Sequence, residues 1–122
     1  MSASPLMILV AGPYRSGTGD DPALIAANMR AMDEAALELF RRGHLPVTGE
    51  ALALPMAAVA GSTRVGDAAF DEVFHPVAGR LVARCDAVLR IGGPSAGADE
   101  MVAIGERFGA RIYRSLADVP PA

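Results

Sequence analysis

Apolar residues in this chain follow two rhythms: short unbroken runs, and longer stretches in which they recur at intervals of three and four. The run at residues 6–11 has the length of a strand and is apolar on both faces, as in a parallel sheet covered by helices, and residues 87–91, apolar apart from Arg90, also read as a buried parallel strand. Shorter extended segments are expected at 45–48, entered through Pro46, and at 111–113. Between the first two strands Ile25, Met29, Met32, Ala36 and Leu39 or Phe40 mark one face of a helix. Asp20 or Asp21 can cap it, Pro22 fits its first turn and Gly43 ends it. Residues 50–60 read as a short helical turn made irregular by Pro55, and 61–64 as a loop. A helix over 67–84 is expected to break or kink near Pro76, with Phe70, Val73, Phe74, Val77 and Leu81 buried. A last helix covers about 98–108.

Strands and helices therefore alternate from end to end. That order predicts an α/β domain with right-handed crossovers and helices on both faces of the sheet. The expected fold is a small Rossmann-like, flavodoxin-like three-layer sandwich with a four- or five-stranded parallel sheet. With strands in the order 2-1-3-4, the switch point lies between the first and third strands, and a ligand would sit outside their carboxyl ends.

Composition narrows the functional classes. At 122 residues, 52% apolar and 20% charged, residues 1–122 form a single domain with an ordinary core. A net charge of -3 disfavours nucleic acid or an anionic membrane as partner, since either calls for a surplus of cations. Cys85 is the single cysteine, which excludes an internal disulfide and fits a small core residue in a reducing cytoplasm. The first residues lack a basic segment followed by a long apolar one, so the expected protein is soluble and cytoplasmic.

Two glycine-punctuated loops carry the candidate chemistry. Ala11-Gly12-Pro13-Tyr14-Arg15-Ser16-Gly17-Thr18-Gly19 follows the first strand, and Gly92-Gly93-Pro94-Ser95-Ala96-Gly97-Ala98-Asp99-Glu100 follows the third. In the first, Gly12 and Gly17 permit close backbone approach, Arg15 offers a fork of donors and Ser16 a hydroxyl, all near a helix start that favours anions. The loop is neither a Walker A motif nor G-x-G-x-x-G, which disfavours a nucleoside triphosphatase or a dinucleotide enzyme. In the second, Ser95 and the amides around Gly97 and Ala98 can bind a ligand, while Asp99 and Glu100 supply carboxylates of the kind used in glycosidic chemistry. Acidic residues also belong in a first helical turn for their effect on the helix dipole. Glu50, beyond the second strand, flanks the same crevice. His44 and His75 have no partner at catalytic or metal spacing and read as structural.

Taken together, Ala-Gly-Pro-Tyr after the first strand, Leu-Phe-Arg-Arg-Gly-His, Arg-Cys-Asp-Ala-Val-Leu-Arg-Ile and Ser-Ala-Gly-Ala-Asp-Glu-Met resemble the nucleoside 2-deoxyribosyltransferase-like superfamily. The resemblance covers about residues 6–119 and extends to the deoxynucleoside 5'-monophosphate N-glycosidases. It implies a homodimer that binds a nucleoside or nucleotide without a cofactor or metal. It also implies cleavage or transfer at the base–sugar bond by a Glu nucleophile helped by an Asp one helix earlier. Those positions fall on Met101 and Ala78, so the chain departs from the pattern at both. Two readings follow: an N-glycosidase or deoxyribosyltransferase using Glu100 or Asp99 as a displaced carboxylate with Tyr14 as its positioning group, or a binding protein without the chemistry.

Overall fold

A computed structural model describes residues 4–122. Four strands, β1 (Met7–Ala11), β2 (Leu45–Val47), β3 (Ala87–Arg90) and β4 (Arg111–Tyr113), form one all-parallel sheet in the order β2-β1-β3-β4. Leu9 lies beside Val47 on one side and Val88 on the other, so β1 is central and its apolar run is enclosed. The helices are α1 (Pro22–Arg41), α2 (Gly49–Val59), α3 (Ala68–Val82) and α4 (Ala96–Arg107), and a short 3-10 turn at Leu116–Asp118 precedes the end of the chain. The protein is thus a small Rossmann-like α/β sandwich with the predicted strand order and switch point. Among the described residues no helix is long and apolar enough to cross a membrane.

Alternation along the strands divides the core into two layers. Ile8, Val10, Ala87 and Leu89 face α1, where Met32, Leu39 and Val119 close over them. Leu9, Ala11 and Val88 face α3 and α4 and meet Ala78, Val82, Met101 and Val102. Burying a side chain such as Leu39 contributes roughly 1.5–3 kcal/mol, so these two layers, not the loops, hold the sheet together. Asp21 is the residue that caps α1, accepting from the Ala23 N–H, and Phe40 ends up exposed while Leu39 is buried.

Two expectations about helices are corrected. Both α2 and α3 run continuously through their prolines, Pro55 and Pro76. Each proline lies on an exposed face, as do Ala51 and Glu72, whose carbonyls lose their helical donor, so water can take the bond. The buried stripe of α3 is Phe70, Phe74, Ala78 and Val82, at steps of four. Val73, Val77 and Leu81 are only half-buried, which turns His75 and Ala78 toward the carboxyl end of the sheet.

Candidate functional site

At the carboxyl ends of β1 and β3 the chain passes through its two glycine loops, which touch. Gly92 has φ +77°, and a Cβ there would lie 2.6 Å from Cδ of Pro13, so only glycine lets the loops meet in this way. Ser95 caps α4 through its hydroxyl oxygen, which accepts from the Ala98 N–H at 3.2 Å. Thr48 does the same for α2, accepting from Ala51 at 3.2 Å, and so delivers Glu50 to the first turn of that helix.

These elements enclose a cavity of about 230 Å³. Gly12, Tyr14, Arg15 and Ser16 form one wall, and Ser95, Gly97, Ala98 and Met101 another. Glu50 lines it from α2, and Phe70, Phe74, His75 and Ala78 line it from α3. The candidate binding residues from the two glycine loops and the first turn of α2 are therefore brought together. Gly17 lies outside the lining, where it turns the first loop.

The carboxylates are distributed differently from the sequence expectation. Neither Asp99 nor Glu100 lines the cavity. Asp99 accepts from Nε of Arg90 at 3.0 Å, and Glu100, next along α4, is exposed. A step of one residue is a turn of about 100° around a helix, and here that turn takes Glu100 away from Met101, which does face the cavity. Met101 and Ala78, where the resemblance implies Glu and Asp, are both buried against it and apolar. Gly49 explains how closely α3 is packed there, since a Cβ on it would stand 2.9 Å from the Ala78 methyl.

Glu50 is the carboxylate the cavity retains. It is 8% exposed, and among the described residues no other residue donates a hydrogen bond or forms an ion pair to its side chain. Burial pushes its carboxyl above the usual range, opposed by its own backbone N–H and reinforced by the charge of Asp33. Tyr14 is shifted upward as well, first by burial and then by the charge of Glu50, with Arg15 opposing. Its ring stacks on Phe74 at 5.6 Å, and Phe74 stacks on Phe70 at 4.7 Å. This ladder gives the cavity an aromatic side suited to a flat ligand group.

Arg15 is engaged in the structure. Its Nε and Nη2 donate to the two Asp20 oxygens at 2.9 and 3.0 Å, and its guanidinium lies 6.0 Å from the centre of the Phe70 ring. The pair with Asp20 is about half exposed, so it is readily exchanged for another anion.

His75, structural by its spacing in the sequence, reaches the cavity in the fold. It lines the cavity one helical turn before Ala78, its ring meeting Phe74 edge-on at 5.4 Å and lying next to Gly97. The usable signal is the spacing of three from Ala78, which puts both on one face once the phase of α3 is known. His44, by contrast, has the expected structural place: it is buried, with Nδ1 accepting from the Leu6 N–H.

No family model matches the chain, and no curated protein matches it.

Proposed function

We propose that this protein binds a nucleoside or nucleotide at the carboxyl edge of its sheet and does so without the carboxylate pair of the glycosidases its motifs resemble. The observation that carries this reading is Glu50, a residue 8% exposed whose carboxyl faces the cavity, where no buried side-chain oxygen is left sealed without a partner and where no other described residue donates to it. A group left in that state favours a ligand that brings the donors, such as sugar hydroxyls or an exocyclic amine. Ser95 and the start of α4 offer the opposite polarity across the cavity, and the Tyr14–Phe74 stack offers a face for a base. The enzyme alternative requires a displaced nucleophile. Asp99 held by Arg90 and Glu100 outside the lining count against it, and apolar Met101 and Ala78 favour binding alone.

The test is calorimetric titration with ribo- and deoxyribonucleosides and their 5'-monophosphates, paired with chromatographic assay for released base. Binding without base release, weakened about tenfold or more by Glu50→Ala, is the expected result. Absence of binding to every compound would remove the reading. Base release that disappears in Glu100→Gln would restore the displaced-carboxylate enzyme instead.

The same proposal includes a homodimer built on α2. Leu52, Met56 and Val59 are 43%, 49% and 91% exposed along one side of that helix, whose sole ionisable residue, Glu50, is buried. An uncharged apolar stripe suits a two-fold contact, in which the same patch on each subunit packs against its copy with no like charges brought together. Light scattering should give twice the chain mass for the native protein and one chain mass for Val59→Glu with Met56→Glu.

A further inference from the structure

Arg90 stands out as a charged side chain buried at the end of a strand. It is 9% exposed and lies outside the cavity lining, so it does not meet the ligand directly. As the last residue of β3 it points to the layer of α3 and α4, beneath the start of α4. A cation beneath a helix N-terminus is opposed by the helix dipole and by desolvation, so its retention there calls for compensating bonds.

Those bonds all go to one segment. Nε donates to Oδ1 of Asp99 at 3.0 Å, Nη2 donates to the Gly93 carbonyl at 2.9 Å, and Nη1 donates to the carbonyl of Ile91. The three acceptors flank Ser95 and Gly97 in the chain, two before and one after. The rigid planar fork of arginine can hold three such points at fixed separations, and a lysine ammonium on a flexible stem cannot. The loop it spans, with Gly92 and Gly93 near its start, has little stiffness of its own.

We propose that Arg90 is a positioning residue of the binding wall, fixing the segment from Ile91 to Asp99 in the shape that presents Ser95 and Gly97 to the cavity. This rests on the nucleotide-binding reading for its consequence in affinity, but the shape of the loop can be measured without a ligand. The arrangement also gives Asp99 a role that its place on α4 explains: it anchors the far end of the loop from the outward side of the helix.

The experiment is amide hydrogen exchange on Arg90→Lys, with titration of the same nucleoside monophosphates in the native and Ser95→Ala backgrounds. Exchange in residues 92–98 should quicken about tenfold, with β1 and α3 unchanged. Affinity should fall about tenfold in the native background but less than about twofold beside Ser95→Ala, because the two changes disrupt one arrangement. Unchanged exchange in residues 92–98, or an equal loss of affinity in both backgrounds, would overturn the proposal. If the native protein binds none of the monophosphates, the nucleotide reading falls and exchange alone decides the role of Arg90. Should Arg90→Lys fail to fold, Asp99→Ala removes one of the three anchors and should give about threefold faster exchange in the same residues.

Discussion

Glu50 ties binding to stability at the level of a single residue. Its carboxyl titrates above the ordinary range in the folded protein because burial disfavours the ionised form. An acid whose folded value is raised adds stability below its unfolded value, and that contribution is lost as pH rises through the folded value. Glu50→Gln removes the ionisation while keeping the shape. Its melting temperature should match the native protein near about pH 4 and exceed it as pH rises toward neutral, the gap levelling off once Glu50 is ionised in the folded protein. Thermal melts across that range check the sign, and a difference independent of pH would contradict it. Cys85 makes the contrasting case. Burial, helped by the charge of Asp86, pushes its thiol up to about 11, so at pH 8 only about one group in a thousand is ionised. A thiol reagent should label it slowly in the folded protein and at least a hundredfold faster in denaturant. The sequence marked both positions by residue type. What it withheld was partnership: that Asp99 is held by Arg90 while Glu50 has no comparable partner depends on which way two helices are rotated, and spacing along the chain does not encode that.

Among the elements, β1, β3 and α1 were legible because each carries one dominant signal: a mainly apolar run of strand length, or a stripe at helical spacing opened by Asp and Pro22. The helices beyond β2 were harder. Pro55 and Pro76 argue for breaks when only their missing N–H is considered, yet both helices continue because the freed carbonyls lie on exposed turns. In α3, three steps of four residues compete with steps of three, and tertiary packing against Gly49 selects Ala78 for the buried side. For α2 the local determinant is its cap. Thr48 accepts from the Ala51 N–H and is buried beside Gly49 and Glu50, so it fixes both the helix start and the approach of the carboxylate to the cavity. Thr48→Ala should lower stability by about 1 kcal/mol, and Thr48→Ser by less, since serine retains the accepting oxygen. Denaturant melts of the two variants check this; equal losses would assign the effect to the lost methyl group instead of the cap.

On the scale of the molecule, the two edges of the sheet carry separate tasks. The carboxyl edge holds the cavity, and its place follows from the strand order, which the sequence pattern implied. The amino edge is closed by the end of the chain, and nothing in the sequence announced it, because the acceptors are backbone carbonyls. Arg42 donates to the carbonyls of Leu116 and Val119 at 2.6 and 2.9 Å, and His44 bridges the Leu6 N–H to the Pro120 carbonyl. Val119, 2% exposed, is the apolar residue this strap inserts into the layer under α1. Val119→Ala leaves a space at that edge and should destabilise the protein by about 1–3 kcal/mol, lowering its melting temperature by roughly 10 °C. Because the change lies at the end of the strands opposite to the cavity, the dissociation constant for any nucleotide that binds should stay within about twofold of the native value. Glu50→Ala should reverse the pattern, leaving the melting temperature unchanged or higher at neutral pH while weakening the ligand. Measuring both quantities for both variants tests the division directly. Loss of ligand affinity in Val119→Ala would mean that the strap and the cavity are coupled through β1, the strand that reaches both edges.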